Sequence, residues 1–453
     1  MDRFDHLRQI FQAGLARVDP YGMLVDHVHL DGNRLVVAFD GHHHQVDLTD
    51  FDRILVLGAG KASARMAKAI EDILGPRIEG GLVSVKTGHG EPLARIEVME
   101  SAHPTPDASS VAAARRIASL AAGADRRTLI LNLVSGGGSA LLCSPLEDKA
   151  AGVALTLDDK QQVTGALLAS GADIAEINCV RKHLSGVKGG RLVRLMAPAR
   201  SLNFILSDVV GDRLDTIASG LTSPDRTTFA QALAILEAYH LGDKLPPAVL
   251  QALRLGAAGR IAETLKPEDP EVSLATNILI GTNRAAVLAA CETARGLGYN
   301  VAALTSSLTG EARQVAKVLF GIARDVRDGD LLVRKPALVI AGGETVVTLT
   351  GKGKGGRNQE MALAFLAELA KDPQEGRGIY FLSASTDGSD GPTDAAGAFA
   401  SAELLAAAGA AGLSIDAYLR NNDSYHFFEA IGQLLKTGPT RTNVCDLHMV
   451  VVA

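Results

Sequence analysis

The stretch TLILNLVSGGGSALL, residues 128–142, carries most of the information about the fold. Leu129 to Val134 form a short apolar run of the kind that becomes a buried parallel strand, and Ala140 to Leu142 can begin a helix. Three glycines lie in the intervening segment Ser135–Ser139, so backbone N–H groups there are not covered by side chains. Such groups at the positive end of a helix favour an anion. The alternative is a tight turn that needs glycine only for its positive φ angles.

The composition of the chain favours helices packed on parallel sheets over a β-sandwich. Of its 453 residues, 47% are hydrophobic and 4% are aromatic, and this length suffices for two or three domains. The formal charge of −6, without a long Lys/Arg block, disfavours nucleic acid and anionic membranes as partners. The four cysteines are scattered without a CxxC pair, so neither a zinc knot nor a disulfide framework is expected. Because signal-peptide and membrane-spanning patterns are lacking, we expect a soluble cytoplasmic protein.

A second strand, Arg53 to Leu57, also ends in a glycine-rich turn, GAGKAS (Gly58–Ser63). This turn is not a Walker A motif, and it is an incomplete dinucleotide fingerprint because Ser63 occupies the position of the third glycine. The next strand ends in Lys86 and not in an acid that could bind a ribose. Lys61 therefore suits a phosphate or a carboxylate, although it could also be a solvated lysine. His103, in a proline-rich loop, could be catalytic or structural.

Basic residues concentrate at positions 181–191, downstream of the Ser135–Ser139 turn. Arg181, Lys182, His183, Lys188 and Arg191 form a basic segment that either faces an anion or is a solvated helix face. Asp208 and Asp212 follow a further strand, at the kind of position where ligands collect in open α/β sheets. Their carboxylates could hold a metal ion or could cap helices.

A new α/β rhythm begins near Asn277, and we predict three parts: an N-terminal α/β domain at 1–240, a helical connection at 241–275 and a C-terminal α/β domain at 276–453. The segment GKGKGGRNQE (351–360) places two lysines and Arg357 before a helix, where they could close over a triphosphate or form a mobile hairpin tip. The loop at 385–394 holds three aspartates, which suggests Mg²⁺ coordination or a general base. Ordinary turn chemistry is the alternative.

The predicted fold class is α/β with two domains, each with a mostly parallel sheet flanked by helices and with an active-site cleft between them. Phosphoryl transfer needs the mixture that these segments offer: N–H groups and cations for phosphate oxygens, carboxylates for a metal, and a base at the acceptor hydroxyl. Because the groups are spread over both halves, we expect domain closure to bring them together.

The chain also resembles the class II glycerate kinases, which combine a glycerate kinase domain with a C-terminal MOFRL domain. The resemblance covers nearly the whole chain. Leu221 and Ser389 depart from it, because the family usually has Pro and Thr at these positions. It implies phosphorylation of D-glycerate at the 2-hydroxyl, with ATP and Mg²⁺, to give 2-phosphoglycerate. The motifs that carry it are GAGKAS (Gly58–Ser63), HPTPD (His103–Asp107), SGGGSALL (Ser135–Leu142), NCVRKHLSGVKGGRL (Asn178–Leu192), SDVVGD (Ser207–Asp212), GGRNQE (Gly355–Glu360), STDGSDGPTDAAGA (Ser385–Ala398), NDSYHFF (Asn422–Phe428) and GPTRTNVCDL (Gly438–Leu447).

The resemblance implies that Lys61 and Arg357 lie in the active site. With them we predict Asp208 and Asp387 as catalytic residues and Asp212 and Asp390 as metal ligands. The predicted substrate- and phosphate-binding residues are Ser135, Gly136, Gly137, Gly138, Ser139, Lys182, Lys188, Lys352, Lys354, Asn358 and Glu360. The partner is a small-molecule substrate, glycerate, and a homodimer stays open. Two alternatives remain: an NAD(P)H-dependent hydroxypyruvate reductase, and a non-catalytic nucleotide or sugar-acid sensor.

Overall fold

A computed structural model describes residues 2–39, 41–374 and 376–453, and its chain divides into two compact units. The N-terminal unit consists of Pro20–Ser207 and Asp212–Ile280. The C-terminal unit consists of Met1–Asp19, Asp208–Gly211 and Gly281–Ala453. Each unit takes its name from the part of the chain that supplies most of it.

The helices and strands follow one another along the whole chain. The helices are α1 (Arg3–Arg17), α2 (Gly22–Val25), α3 (Ser63–Leu74), α4 (Ala108–Ala122), α5 (Gly138–Leu141), α6 (Leu157–Ser170), α7 (Ile174–His183), α8 (Arg191–Met196), α9 (Phe229–Ala238), α10 (Pro247–Ala257), α11 (Asn283–Gly296), α12 (Ala312–Gly329), α13 (Arg357–Lys371), α14 (Leu404–Ala410), α15 (Ile415–Arg420) and α16 (Ser424–Ala430). The strands are β1 (Val28–Asp31), β2 (Arg34–Phe39), β3 (His42–Asp47), β4 (Arg53–Ala59), β5 (Gly80–Lys86), β6 (Ile96–Ser101), β7 (Thr128–Val134), β8 (Glu147–Asp148), β9 (Val153–Ala154), β10 (Arg200–Leu206), β11 (Ala275–Gly281), β12 (Asn300–Leu308), β13 (Ala337–Gly343), β14 (Ile379–Ser385), β15 (Gly397–Ser401), β16 (Leu434–Leu435) and β17 (Asp446–Val452).

The N-terminal unit is built on a six-stranded sheet of order β11-β10-β7-β4-β5-β6. The pairs from β10 to β6 are all parallel, with β7 at the centre. Every residue of β7 is buried, as expected for a strand that is covered on both faces. The strand predicted at Leu129–Val134 is therefore confirmed, and its carboxyl end lies beside that of β4.

The C-terminal unit has a mixed sheet, so the expectation of a mostly parallel sheet is wrong there. Its order is β12-β13-β17-β14-β15-β16, and β12 and β13 form its one parallel pair among the described residues. The last strand, β17, lies antiparallel between β13 and β14, while β14 and β15 pair antiparallel. No helix connects β14 to β15, and such a short connection favours antiparallel pairing.

The two units differ from the predicted domain boundaries at both ends. Strand β11, which was expected to open the C-terminal domain, extends the N-terminal sheet. Helix α1 belongs to the C-terminal unit, where a Cβ on Gly14 would lie 3.0 Å from Leu447 Cδ1 and 3.1 Å from Ala286 O. Sheet neighbours and helix contacts, and not proximity along the chain, decide where these segments belong.

Helix α13 is the buried centre of the C-terminal unit. Asn358 to Phe365 are all buried, and the Phe365 ring stacks on Phe381 at a centroid distance of 4.3 Å. A helix surrounded by protein can bury polar groups at its start only if they are paired. Among the helices of the described residues, none has the length and apolar character needed to cross a membrane.

Candidate active site

Two glycine turns lie side by side at the carboxyl end of the N-terminal sheet. Ala59 and Val134, the last residues of β4 and β7, are neighbours in the register. Beyond them, Lys61 N donates to Gly136 O at 2.9 Å, and Ala62 N donates to the Ser135 hydroxyl at 3.0 Å. The two turns thus hold each other in place through one backbone hydrogen bond and one to the Ser135 hydroxyl.

Gly137 is the point at which the turn needs glycine. Its φ is 81°, and an added Cβ would lie 2.9 Å from His103 Cδ2 and 3.4 Å from Lys61 Cε. The positive-φ interpretation is therefore confirmed at Gly137, and the missing side chain also lets His103 and Lys61 lie close to the turn. Helix α5 after the turn has only four residues, so the helix dipole contributes little here.

Positive charge collects around this turn. Burial, together with the nearby charges of Lys61, Lys86 and His89, lowers the pKa of His103 from 6.5 to about 4. At neutral pH the imidazole is therefore uncharged and can donate or accept a hydrogen bond. Within the described residues, neither Lys61 nor Lys86 has a hydrogen bond or ion pair through its side chain. The turn thus combines open backbone with two available ammonium groups.

Ser139, at the end of the turn, is held by two basic side chains. Lys188 Nζ donates to the carbonyl oxygens of Ser139 and Leu142 at 2.6 and 3.1 Å, and Arg181 Nη2 donates to Ser139 Oγ at 2.6 Å. Ser139 Oγ also lies 2.8 Å from Ser219 Oγ. Lys188, which is 1% exposed, therefore supports the turn from within the protein.

Lys182 points to carboxylates of its own unit. Its ammonium lies 3.2 Å from Asp225 and 3.7 Å from Asp215, and the lysine is buried. A phosphate-binding role for Lys182 and Lys188 stays a prediction, which these protein contacts disfavour.

Asp212 and Asp208 fall in different units. Burial raises the pKa of the Asp212 carboxyl, and a hydrogen bond with Ser207 opposes the shift. In the C-terminal unit, the backbone carbonyl of Asp208 accepts a hydrogen bond from the Cys445 thiol at 3.4 Å. In residues 2–39, 41–374 and 376–453, no three His, Cys, Asp or Glu side chains form a group that could hold a metal ion.

Arg357 is the main cation of the candidate site in the C-terminal unit. Its Nε and Nη2 donate to Asp446 at 2.5 and 2.9 Å, and Nη1 lies 3.0 Å from Glu344. Burial acts to lower the pKa of Arg357, but these two carboxylates outweigh it and raise the pKa. Burial in turn raises the pKa of Glu344. The guanidinium is thus held in a fixed orientation by two acids.

Asp390, predicted as a metal ligand, anchors the start of α13. Its carboxylate accepts hydrogen bonds from the backbone N–H groups of Asn358 and Gln359 at 3.1 and 2.8 Å. Burial raises its pKa to about 6, against the effect of these amides. An acid in this position stabilises the positive end of the helix. The metal role of Asp390 stays a prediction, and this contact explains the aspartate without it.

Two predicted binding residues in the first turn of α13 also have structural partners. Asn358 Oδ1 accepts a hydrogen bond from the Ser383 hydroxyl at 2.7 Å. Glu360 accepts hydrogen bonds from Arg313 Nε at 2.5 Å and from Asn422 Nδ2 at 3.2 Å. Their contacts with substrate stay predictions.

The glycine-rich segment before α13 packs closely on residues 421–424. Added Cβ atoms on Gly351 and Gly353 would lie 2.2 Å from Asn421 O and 2.4 Å from Asp423 Cβ. Backbone N–H groups of Lys352 and Lys354 donate to the side chains of Asn421 and Asp423 at 3.1 and 2.9 Å. The mobile hairpin tip is thus not what the contacts show, because the glycines serve close packing.

The side chains in and near this segment keep some freedom for ligands. Lys354 Nζ lies 4.1 Å from the centre of the Tyr425 ring, a cation–π contact. Asp387 Oδ1 accepts hydrogen bonds from Ser385 Oγ and Ser389 N, both at 2.9 Å, which is the turn chemistry expected of Asp-Gly. Oδ2 of Asp387 receives no hydrogen bond from the described residues.

Several site residues were not singled out by sequence reasoning. Glu344 and Asp446 determine the orientation of Arg357, and Lys160 is a buried lysine near Lys188. Asp446 carried a usable signal, since an acid at the start of an otherwise apolar strand predicts a buried ion pair. Glu344 directly follows the glycines that end β13. This position at the carboxyl end of a strand could have indicated a site residue.

Comparison with known proteins identifies two family domains. The model described as "Domain of unknown function (DUF4147)" matches residues 6–254, more than half of the chain, and the MOFRL family model matches residues 337–446. The D-glycerate 2-kinase of Thermotoga maritima is 42% identical over 88% of this chain and 90% of its own. The glycerate 2-kinase of Pyrococcus horikoshii is 37% identical over 98% of this chain and 96% of its own.

A solved structure shares the fold, and one further relative has a different name. The crystal structure of the glycerate kinase of Thermotoga maritima matches with a TM-score of 0.86 at 37% identity, over 99% of both chains. A protein of Agrobacterium vitis, 40% identical over 98% of this chain and 94% of its own, carries hydroxypyruvate reductase as a provisional name. From its two family domains, the coverage of these relatives and the shared α/β architecture, the chain belongs to the class II glycerate kinase family.

Proposed function

We propose that this protein transfers a phosphoryl group from ATP to the 2-hydroxyl of D-glycerate, giving 2-phosphoglycerate. The names of the most similar relatives support the reaction, and one observation on this chain carries the proposal. Because Gly137 has no side chain, Lys61 and His103 lie close to its backbone, at the carboxyl ends of two adjacent parallel strands. Strand ends of this kind bind ligands in α/β sheets, and open amides with ammonium groups suit phosphate oxygens.

In this proposal the predicted residues of each unit have the following roles. Lys61 stabilises the charge on the transferring phosphoryl group, and the turn at Ser135–Ser139 receives phosphate oxygens. Lys352 and Lys354 contribute further positive charge. The orientation of Arg357, set by Asp446 and Glu344, suits a guanidinium that meets the reacting anion through the N–H groups that these two acids do not use.

Mg²⁺ is also part of the proposal, and the carboxylates of the chain fit it. Mg²⁺ with a nucleotide is usually held by one or two carboxylates, water and the phosphates, so a dedicated cage is not required. Asp387 has an oxygen without a hydrogen-bond donor among the described residues, which suits such a ligand. Bound there, the ion would neutralise charge on the phosphates. Asp212, whose pKa burial raises, suits the base at the acceptor hydroxyl, with Asp208 as the other candidate.

The deciding experiment combines the purified protein with ATP, Mg²⁺ and D-glycerate and follows ADP formation. Phosphorus NMR of the product separates 2-phosphoglycerate from 3-phosphoglycerate. Chelation of Mg²⁺ should stop the reaction, and added Mg²⁺ should restore it. A parallel reaction with hydroxypyruvate and NADH tests the reductase. NADH oxidation without any ADP from glycerate would replace the kinase by the reductase, and no turnover in either assay would favour a sensor. The proposal also includes glycerate as the substrate and the cytoplasm as the compartment.

A further inference from the structure

Arg181 differs from its two neighbours at the end of α7 because it has no carboxylate partner among the residues that the structure describes. Lys182 pairs with Asp225 at 3.2 Å, and His183 Nε2 lies 3.1 Å from Glu263. Arg181 has one hydrogen bond, from Nη2 to Ser139 Oγ at 2.6 Å. A guanidinium carries five N–H donors, so most of its capacity is unused by the described residues.

Two further cations surround Arg181 and have only neutral partners among the described residues. Lys160 Nζ donates to Leu184 O at 3.1 Å, and Lys188 Nζ donates to the carbonyls of Ser139 and Leu142. Burial lowers the pKa of Lys188, and the positive charges of Lys160 and Arg181 lower it further. Among the described residues no acid pairs with these three neighbouring basic groups, so their charged forms are costly to keep in a buried region. An anionic ligand would supply the missing balance.

Arg181 is the member of this group that a ligand can reach. It is partly exposed, as is Ser139, whereas Lys160 and Lys188 are buried. Beside it, the hydroxyls of Ser139 and Ser219 lie 2.8 Å apart, and Ser219 Oγ donates to Asn178 Oδ1 at 3.1 Å. The cluster therefore offers one planar cation next to neutral hydroxyl groups.

This combination matches a small acid that carries hydroxyl groups. A guanidinium binds a carboxylate through two parallel hydrogen bonds, and serine hydroxyls can bind the alcohol groups beside it. We infer that Arg181, oriented by Ser139, binds the carboxylate of the hydroxy-acid substrate. This assignment rests on the proposed function and adds the residue that selects an acid.

The test measures D-glycerate binding by calorimetry on the full chain, together with steady-state kinetics. Arg181→Met should weaken glycerate binding and raise KM for glycerate by about ten- to a hundredfold, the usual range for a lost hydrogen bond to a charged group. The KM for ATP should stay within about twofold. Arg181→Lys should lie between, because it keeps the charge but loses the two-point contact. Glycerol, which lacks the carboxylate, should bind the wild type and the variants equally poorly.

Arg254→Met is the matched control. Arg254 lies in the last turn of α10, in the same unit, and is exposed to solvent. It should leave both KM values unchanged. The thermal midpoint of each variant reports whether it folds, and Arg181→Lys carries the test if Arg181→Met does not.

The outcomes separate this inference from the proposed function. Unchanged glycerate binding in the Arg181 variants would overturn the inference while the kinase stands. A rise in the KM for ATP alone would also overturn it, because the guanidinium would then bind phosphate. A wild type that neither binds nor phosphorylates glycerate would refute the proposed function itself.

Discussion

Arg357 makes a two-point ion pair with Asp446, whose side chain is fully buried at the first position of β17. Glu344 approaches the same guanidinium from Nη1 at 3.0 Å, and its side chain is 42% exposed. The two acids are therefore unequal: one is enclosed by protein, and the other is accessible to water. This inequality makes their contributions to stability separable.

Asp446→Asn should destabilise the C-terminal unit strongly. It leaves the half-buried guanidinium with Glu344 as its counter-charge, so the cost should lie toward the lower end of the range of about 3–5 kcal/mol found for broken buried pairs. Thermal unfolding followed by circular dichroism should show a lower midpoint. Glu344→Gln is the matched comparison and should lower the stability much less, because water already screens the charge of this partly exposed acid. Equal midpoints for the two variants would contradict this account of the pair.

Lys61→Met should reduce turnover of glycerate by about a hundredfold or more, because the variant loses the positive charge expected on the transferring phosphoryl group. Its thermal midpoint should hardly change, since the ammonium has no ion pair among the described residues. Lys68→Met is the control, because Lys68 lies on α3, the helix that follows the Lys61 turn, and its ion pair with Asp72 is exposed. Near-normal turnover in the Lys61 variant would remove this lysine from the mechanism.

Gly137→Ala should impair activity beyond the cost of backbone strain. An alanine there must adopt a φ of 81° and place its Cβ 2.9 Å from the His103 ring. Gly152→Ala is the matched control: its φ is 68°, and nothing lies within 4 Å of the added Cβ. Both changes carry a strain of about 1–2 kcal/mol, which thermal melts will report. Only the Gly137 change should lower kcat/KM, and equal activities would show that the close approach of His103 and Lys61 to this turn is not needed.

Buried His448 should make the stability of the protein depend on pH. Burial lowers its pKa from 6.5 to about 4. Between these two pH values the histidine is therefore protonated in the unfolded chain and neutral in the folded protein. Stability should therefore fall as the pH drops from about 6.5 to 4, by roughly 3 kcal/mol in all. Asp390 opposes this: its raised pKa, about 6, makes stability rise as the pH falls through that value. The difference between wild type and His448→Gln isolates the histidine.

NMR titration of the wild type gives an independent measurement of the same group. The His448 ring, whose Nδ1 lies 2.8 Å from Ser383 Oγ, should stay unprotonated at pH 5. Titration of this ring near its ordinary pKa of 6.5 would contradict the prediction, whatever the variant does.

The N-terminal sheet could be predicted because its signals are local. The apolar runs of β4 and β7 and the glycines after them are contiguous in sequence, and parallel strands place such turns at one edge. The position of Lys61 beside Gly137 follows from this rule. The other neighbour of Gly137 is His103, which comes from a loop after β6. No pattern in the sequence indicated that His103 and Gly137 would approach each other.

The C-terminal sheet could not be predicted in the same way, because its order depends on long-range pairing. Strand β17 is the last of the chain, yet it separates β13 from β14, and nothing near residue 446 specifies that insertion. The charged residues present a related difficulty. Lys188 and Asp390 have the residue types of a phosphate site and a metal site, but their use is decided by carbonyls and amides from distant segments.

Helix α1 packs against α11 and β17, which are made more than 260 residues later. During synthesis on the ribosome, the apolar face formed by Leu7, Ile10 and Phe11 therefore emerges long before its partners exist. The N-terminal unit can fold in that interval, since domains form as they are translated. The apolar face of α1 therefore stays unpaired until β17 has left the exit tunnel, and a chaperone can bind it during that time.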